Sequence, residues 1–480
     1  MTMHVIVDAR ELPRKLVYGA IRMDAPKVVS GATNTRPALL YPKWIPGIHG
    51  PKNPVENLAG IVVTSPRGDT ITWERDWRDV YRIFLNTKSG SHISLKTTYI
   101  CSQPTTNSRG VDCYGYENLG VINWNTILFY PEGIPISEIE VRAGIVLPQG
   151  WDYGSALVES SRSGDTVFFN PETLENFIDR PLICGSNFRT VKLADLEHAQ
   201  YYLHMVADDA GDLPREDSLL NPLRNVVKEA EALFGGTHFS EYHYLLVLSD
   251  HVGRTGLEHR NSSLNGVSAN EFRGGDWENK QIPYLLTHEF VHAWCGKYRR
   301  PVGMYTKDYM EPKDTDLLWV YEGMTQYLGN LLAVRSGFVK DERFKDNLAG
   351  SIGGLINQRG RRWRPLRDTE VAGYTLRGGS RNWGLLRRSQ DYYREGAALA
   401  LEFDARIRNL TDGKKSLDDF CREFFTKGGG KTHAVPFDLQ EVENTLNRQA
   451  QFNWDSLIKS VSIKHRSVLI RKWHSNAATD

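Results

Sequence analysis

The sequence predicts an α+β multidomain fold, and three observations carry that prediction. Apolar and polar residues alternate through about the first 190 positions, apolar residues recur at three and four residues from about 200, and the pattern is mainly helical beyond about 337. The expected division is an N-terminal all-β sandwich-like domain over 1–195, a mixed domain over 196–336, a helical domain over 337–460 and a tail over 461–480.

Each element rests on a local pattern. Ile93, Leu95, Thr97 and Tyr99 alternate with polar neighbours, as do Ile139, Val141 and Ala143. Short runs such as residues 80–85 lie between Gly, Pro, Asn and Ser turns, which predicts strands in a sandwich. Nothing in this domain points to chemistry, and Trp44, Trp73 and Trp77 read as core and rim packing. Leu219, Leu220, Leu223, Val226, Val227, Ala230, Leu233 and Phe234 then predict an amphipathic helix ended by Gly235-Gly236. Residues 242–248 follow as a strand, and a turn-rich stretch holds Gly256-Leu257-Glu258. Further on, 393–407, 417–425 and 442–446 read as helices, with a glycine-rich loop at 427–431.

Bulk properties exclude more than they assign. The 59 basic and 58 acidic residues give a net charge of +1, so no global field draws the chain to nucleic acid or to a membrane. The basic run Arg359-Gly360-Arg361-Arg362-Trp363-Arg364-Pro365-Leu366-Arg367 reads as a solvated loop. Cys101, Cys113, Cys184, Cys295 and Cys421 are scattered, odd in number and without a C-x-x-C pair, a pattern that fits a reducing compartment. No signal peptide and no membrane-spanning stretch is visible, and a cytoplasmic location is expected. Oligomeric state is not legible.

The chemistry concentrates in Thr287-His288-Glu289-Phe290-Val291-His292, an H-E-x-x-H pattern in an apolar, helix-compatible stretch that Val291, Ala293 and Trp294 extend. Side chains four apart on a helix point the same way, so His288 and His292 can reach one zinc ion while Glu289 faces its water. The competing reading is a buried helix whose histidines hydrogen-bond to backbone. A catalytic zinc needs a third ligand, and Glu311, Asp314, Asp316 and Glu322 are the candidates. The first three lie in a polar, proline-broken loop. Glu322 lies among Leu317, Leu318, Trp319, Val320 and Tyr321, where an unpaired carboxylate carries a desolvation cost that a cation removes. Cys295, three positions after His292, reads as a small buried helix residue.

The pattern of His288-Glu289 and His292 followed thirty residues later by Glu322, in the setting Trp319-Val320-Tyr321-Glu322-Gly323, resembles the glycyl aminopeptidase family of gluzincin metallopeptidases. Arg299-Arg300-Pro301 and Asp308-Tyr309 fit that family. Gly256-Leu257-Glu258-His259-Arg260-Asn261-Ser262 resembles its substrate-edge motif, and Tyr41-Pro42-Lys43-Trp44-Ile45-Pro46-Gly47 its N-terminal signature. Tyr393-Arg394-Glu395-Gly396-Ala397 is similar to the helix that carries a catalytic tyrosine in related aminopeptidases. The resemblance implies a thermolysin-like catalytic domain, one zinc ion, a peptide substrate cleaved from its amino end, and Gly or Ala as the residue removed. It further implies Glu289 as general base and acid, Tyr393 rather than Tyr392 as oxyanion donor, Glu258 as the anchor for the substrate amine, and Gly256 as a point of close backbone approach. The bland reading of Glu258 is an ion pair with Arg254 or Arg260, and His259 has no firm role. Family members continue into a PDZ domain, for which residues 461–480 leave no room, and these last residues are expected to lack order. Two rival functions share the zinc site: a thermolysin-like endopeptidase, and an inactive metal-stabilised scaffold that binds a protein partner.

Overall fold

Alternation builds the first sheet. In the computed structural model, which describes residues 1–29, 34–101, 111–274, 277–380, 382–428 and 433–463, the N-terminal strands are β1 (Thr2–Asp8), β2 (Leu16–Asp24), β3 (Leu58–Thr64), β4 (Thr70–Ile71), β5 (His92–Ile100), β6 (Glu140–Val146), β7 (Glu159–Ser163) and β8 (Thr166–Phe169). They run in the order β7-β8-β6-β1-β2-β5-β3-β4, and the short strand Glu172–Thr173 pairs with β6. Burial in β5 alternates strictly: Ile93, Leu95, Thr97 and Tyr99 point inward. Two four-stranded sheets share its core, with Leu39, Ile83, Ile122 and Leu182 in one apolar cluster with Val5 and Leu95. This is the sandwich-like β domain expected, with one short helix, Leu174–Ile178, at its end. Trp77 is exposed and Trp73 half-buried.

The second sheet positions the site. Its strands are β9 (Phe188–Asp195), β10 (Gln200–Ala207), β11 (Glu241–Leu248), β12 (Thr255–His259) and β13 (Ser262–Val267), in the order β9-β10-β11-β13-β12. The pairs β10/β11 and β11/β13 are parallel, and β12 runs antiparallel along β13 at the edge. Two readings change here. Strand β9, assigned above to the β domain, pairs with β10, so the sheet begins between Gly185 and Phe188. Gly256-Leu257-Glu258 is a strand, because pairing to β13 overrides residues of poor strand propensity.

Helix α1 (Asn221–Phe234) buries its apolar stripe on the sheet and stops at Gly235, whose left-handed conformation (φ 72°) returns an N–H to the Glu231 carbonyl. Helix α2 (Ile282–Val291) opens with proline in its first turn and is buried on nearly every side. Residues Trp319–Met324 form one wide π-helical turn that runs into α3 (Thr325–Arg335). Beyond lie Asp341–Asn357, several short helices, α4 (Tyr392–Leu410), α5 (Leu417–Phe425), α6 (Leu439–Gln449) and α7 (Trp454–Ser462). One short strand, Val435–Phe437, returns to pair with Arg299–Pro301. No break in the core marks position 336: Leu203 and Leu246 of the sheet, Phe290 of α2, Phe403 of α4 and Trp454 of α7 belong to one apolar cluster. Val461 and Ser462 close α7, while residues 464–480 of the expected tail and 429–431 of the expected loop lie outside the described residues. Among the described residues no helix is long and apolar enough to cross a membrane.

Candidate active site

Helix α2 delivers His288 and His292 to the same side of the chain. It ends sooner than the apolar pattern suggests. The last helical residue is Val291, His292 is the cap, and the next residues turn so that Lys297 N–H reaches the His292 carbonyl at 2.9 Å. The turn matters for chemistry. The Cys295 carbonyl accepts from His292 Nδ1 at 2.8 Å, which leaves the Nε2 lone pair free to bind a metal. Cys295 itself is buried in the turn, its Sγ donating to the Val320 carbonyl and its pKa pushed up to about 12 by burial, so it is neither helical nor a ligand.

Glu322 arrives from the π-helical turn, whose wide geometry is a frequent mark of a functional site. Two contacts hold that turn. The buried Glu370 carboxylate accepts the Trp319 N–H at 2.6 Å, capping its start. Gly323 packs directly on Gly396 of α4: a Cβ at Gly323 would fall 2.4 Å from the Gly396 Cα, closer than any side chain allows. This crossing brings Glu322 and Tyr393, three residues before Gly396, into one cleft that His288, Glu289, His292 and Glu258 also line.

The three expected ligands form a nearly equilateral triangle. His288 Nε2 and His292 Nε2 are 3.2 Å apart, and Glu322 Oε2 lies 3.3 Å from the first and 3.2 Å from the second. Tetrahedral zinc with bonds of about 2.0–2.1 Å requires donor separations of about 3.3–3.4 Å. The donor set therefore fits the ion. Glu311 is exposed and Asp316 pairs with Arg367 at 3.0 Å, so neither competes with Glu322.

Two more carboxylates face this triangle. Glu289 and Glu258 lie with His292 in a second close group of potential donors. A Cβ on Gly256 would sit 2.2 Å from Glu289 Oε1, so the absent side chain at Gly256 makes room for the Glu289 carboxylate. Burial pushes Glu289 well above the usual carboxylate range. Desolvation works against charge on His292, yet Glu258 and Glu322 outweigh it and raise that imidazole to about 9. Desolvation likewise opposes charge on Glu322, but His292 and the hydrogen bonds hold it well below its ordinary value. So much buried negative charge calls for positive charge at the imidazoles, which a divalent cation supplies.

Two family models match the chain, the peptidase M61 N-terminal domain over residues 7–186 and the M61 glycyl aminopeptidase over residues 282–399. The chain belongs to the M61 glycyl aminopeptidase family. It is thereby a peptidase of the metallopeptidase class. Among solved structures, this M61 protein is similar to an aminopeptidase N family protein from Idiomarina loihiensis, with a TM-score of 0.82 at 18% identity, over 99% of this chain and 78% of that one. It is also similar to an M1 zinc metallopeptidase from Deinococcus radiodurans, with a TM-score of 0.57 at 14% identity, over 97% and 94% of the two chains. A mutant of the Deinococcus protein bound to a Tyr-Ser-Ala substrate gives a TM-score of 0.56 at 14% identity, over 97% and 94%. At these identities the likeness is one of fold. Among curated proteins, none matches this chain.

The remaining M61 residues sort by their partners. Glu258 is buried and accepts a hydrogen bond from the Tyr321 hydroxyl, while Arg254 pairs with Asp250, so the ion pairs imagined for Glu258 are not formed. His259 points the other way and binds Asp179 at 3.1 Å, beside the Lys297 ammonium at 2.9 Å, in a buried group that joins the two domains. The Tyr393 ring lies 6.0 Å from the His288 ring, and its hydroxyl makes no hydrogen bond to a described residue. Burial raises its pKa well above that of a free phenol, so it stays an O–H donor. Tyr392 also lines the cleft, where Gln390 Nε2 donates to its hydroxyl at 2.7 Å. The basic run is only partly solvated: Arg361 is buried with Glu395, which also holds Arg388. The β domain contributes to the site after all, through Gly47 to Gly50 on the cleft wall and His49 against Glu322 at 2.5 Å. No spacing rule marks His49, and its only signal is its place two residues after the Trp44-Ile45-Pro46-Gly47 signature.

Proposed function

We propose that this chain is a zinc-dependent aminopeptidase that removes N-terminal residues, Gly or Ala, from peptides. The observation that carries the reading is the triangle of Nε2, Nε2 and Oε2 atoms with 3.2–3.3 Å edges and two further glutamates beside it. One zinc ion held by His288, His292 and Glu322 supplies a Lewis acid that polarises the scissile carbonyl and makes water a nucleophile near neutral pH.

The chain's own groups do the rest. Glu289 takes a proton from the attacking water and passes it to the leaving amine, acting as base and then acid. The Tyr393 hydroxyl donates to the oxyanion that develops on the substrate carbonyl. Glu258 on the cleft wall receives the substrate α-ammonium, and the absence of a side chain at Gly256 keeps that wall clear. The peptide substrate held by a Deinococcus structural neighbour supports a peptide here. The endopeptidase alternative shares every ligand and lacks only the amine anchor.

Metal analysis joined to a peptide panel tests this. One zinc per chain, chelator-sensitive cleavage of free Gly and Ala peptides, and resistance of their N-acetylated forms are expected. Equal cleavage of free and acetylated peptides would transfer the assignment to an endopeptidase.

A further inference from the structure

We propose that His49 is a positioning residue for the third zinc ligand: its Nε2–H donates to Glu322 Oε1 and fixes the carboxylate so that Oε2 alone faces the cation. The inference rests on the zinc reading above and adds a residue from the other domain to it.

Geometry supports it in three steps. His49 Nε2 lies 2.5 Å from Glu322 Oε1, while the two ligand histidines approach Oε2, so the carboxylate uses one oxygen for each task. His49 is not in the group of mutually close donor atoms formed by His288, His292 and Glu322, which makes it a partner of the ligand and not a fourth ligand. Both side chains are buried, with 7% and 4% of their surface exposed, so an unbonded Oε1 would be left without water or partner. The imidazole is itself held in place. Tyr321 and Tyr392 meet it edge-on, at 5.5 Å and 85° and at 6.4 Å and 84°.

A carboxylate fixed in this way cannot rotate toward two-oxygen binding or swing away from the histidines, and partners of metal ligands commonly set metal affinity. The N-terminal β domain thus completes the metal centre through one hydrogen bond that spans 273 positions of sequence.

Zinc affinity of the full chain, measured by competition with a chelator, tests the assignment. His49→Phe keeps the ring packing and removes the donor, and a loss of about 10- to 100-fold is expected. His49→Gln returns an N–H to the place of Nε2 and should restore most of that loss. A folded His49→Phe protein with wild-type zinc affinity would overturn the proposal by marking a packing role, as would equal loss in both variants, since the returned N–H would then have no effect. A rise in KM with zinc affinity unchanged would also overturn it, by moving His49 to substrate binding. Wild-type protein that takes up no zinc would sink the metal reading first and this inference with it.

Discussion

Glu289 is the side chain whose replacement separates metal binding from turnover. Glu289→Gln keeps the shape beside Gly256 but cannot accept a proton, so peptide hydrolysis should fall to background while the zinc content of the purified protein stays at one per chain. Tyr393→Phe should lower kcat by about 10²- to 10³-fold with little change in KM, because its hydroxyl acts only on charge that develops during reaction. A fall confined to KM would shift the donor role to Tyr392. At this scale the metal triangle was readable because its logic is local: two histidines one helical turn apart, and one carboxylate too apolar in its surroundings to be left alone. His49 was not, since its partner lies in another domain and a lone histidine in a loop carries no period. Glu258 was readable only through its resemblance to a motif, while its actual environment, the Tyr321 hydroxyl, came from folding.

At the level of elements, the Gly323–Gly396 crossing decides where two functional side chains meet. Gly396→Ala would put a methyl 2.7 Å from the Trp319 carbonyl and 2.8 Å from the Gly323 Cα, and both obstacles are backbone. Overpacking of this kind costs about 1–3 kcal/mol. A fall in Tm together with weaker zinc uptake is expected, since the helix pair must spread and carry Glu322 with it. An unchanged Tm would show that the crossing tolerates a side chain. Long periodic elements such as α1 were legible to within a few residues, because six buried apolar side chains on one face admit only a helix. The end of α2 and the strand β12 were not. The first is set by the Cys295 carbonyl turning back to His292, and the second by pairing to β13, and neither contact leaves a mark in local composition.

Across the whole molecule, the two domains are locked by Asp179, held by Lys297 and His259 in a buried group. Burial alone would raise its pKa, but Lys297 and His259 outweigh burial and depress it below the ordinary value. Its contribution to stability is therefore complete above the unfolded-state pKa of about 3.9 and is lost as pH falls toward the lower folded value. Asp179→Asn leaves Lys297 buried without a counter-charge and should cost about 3–5 kcal/mol at pH 7, with a smaller dependence on acid, both measurable by denaturant unfolding at pH 7 and below pH 4. The division into a β domain and a helical remainder was legible from periodicity, but not its seams: β9 belongs to the second sheet, and one core runs through position 336. The five thiols, all unpaired and buried, close the matter of handling. Native protein should resist iodoacetamide, Cys295 included, because an alkylating reagent needs an accessible thiolate. Covalent labelling followed by mass spectrometry then counts only molecules that have opened, so a sulfur atom one turn beyond the catalytic helix becomes a silent clock for its unfolding.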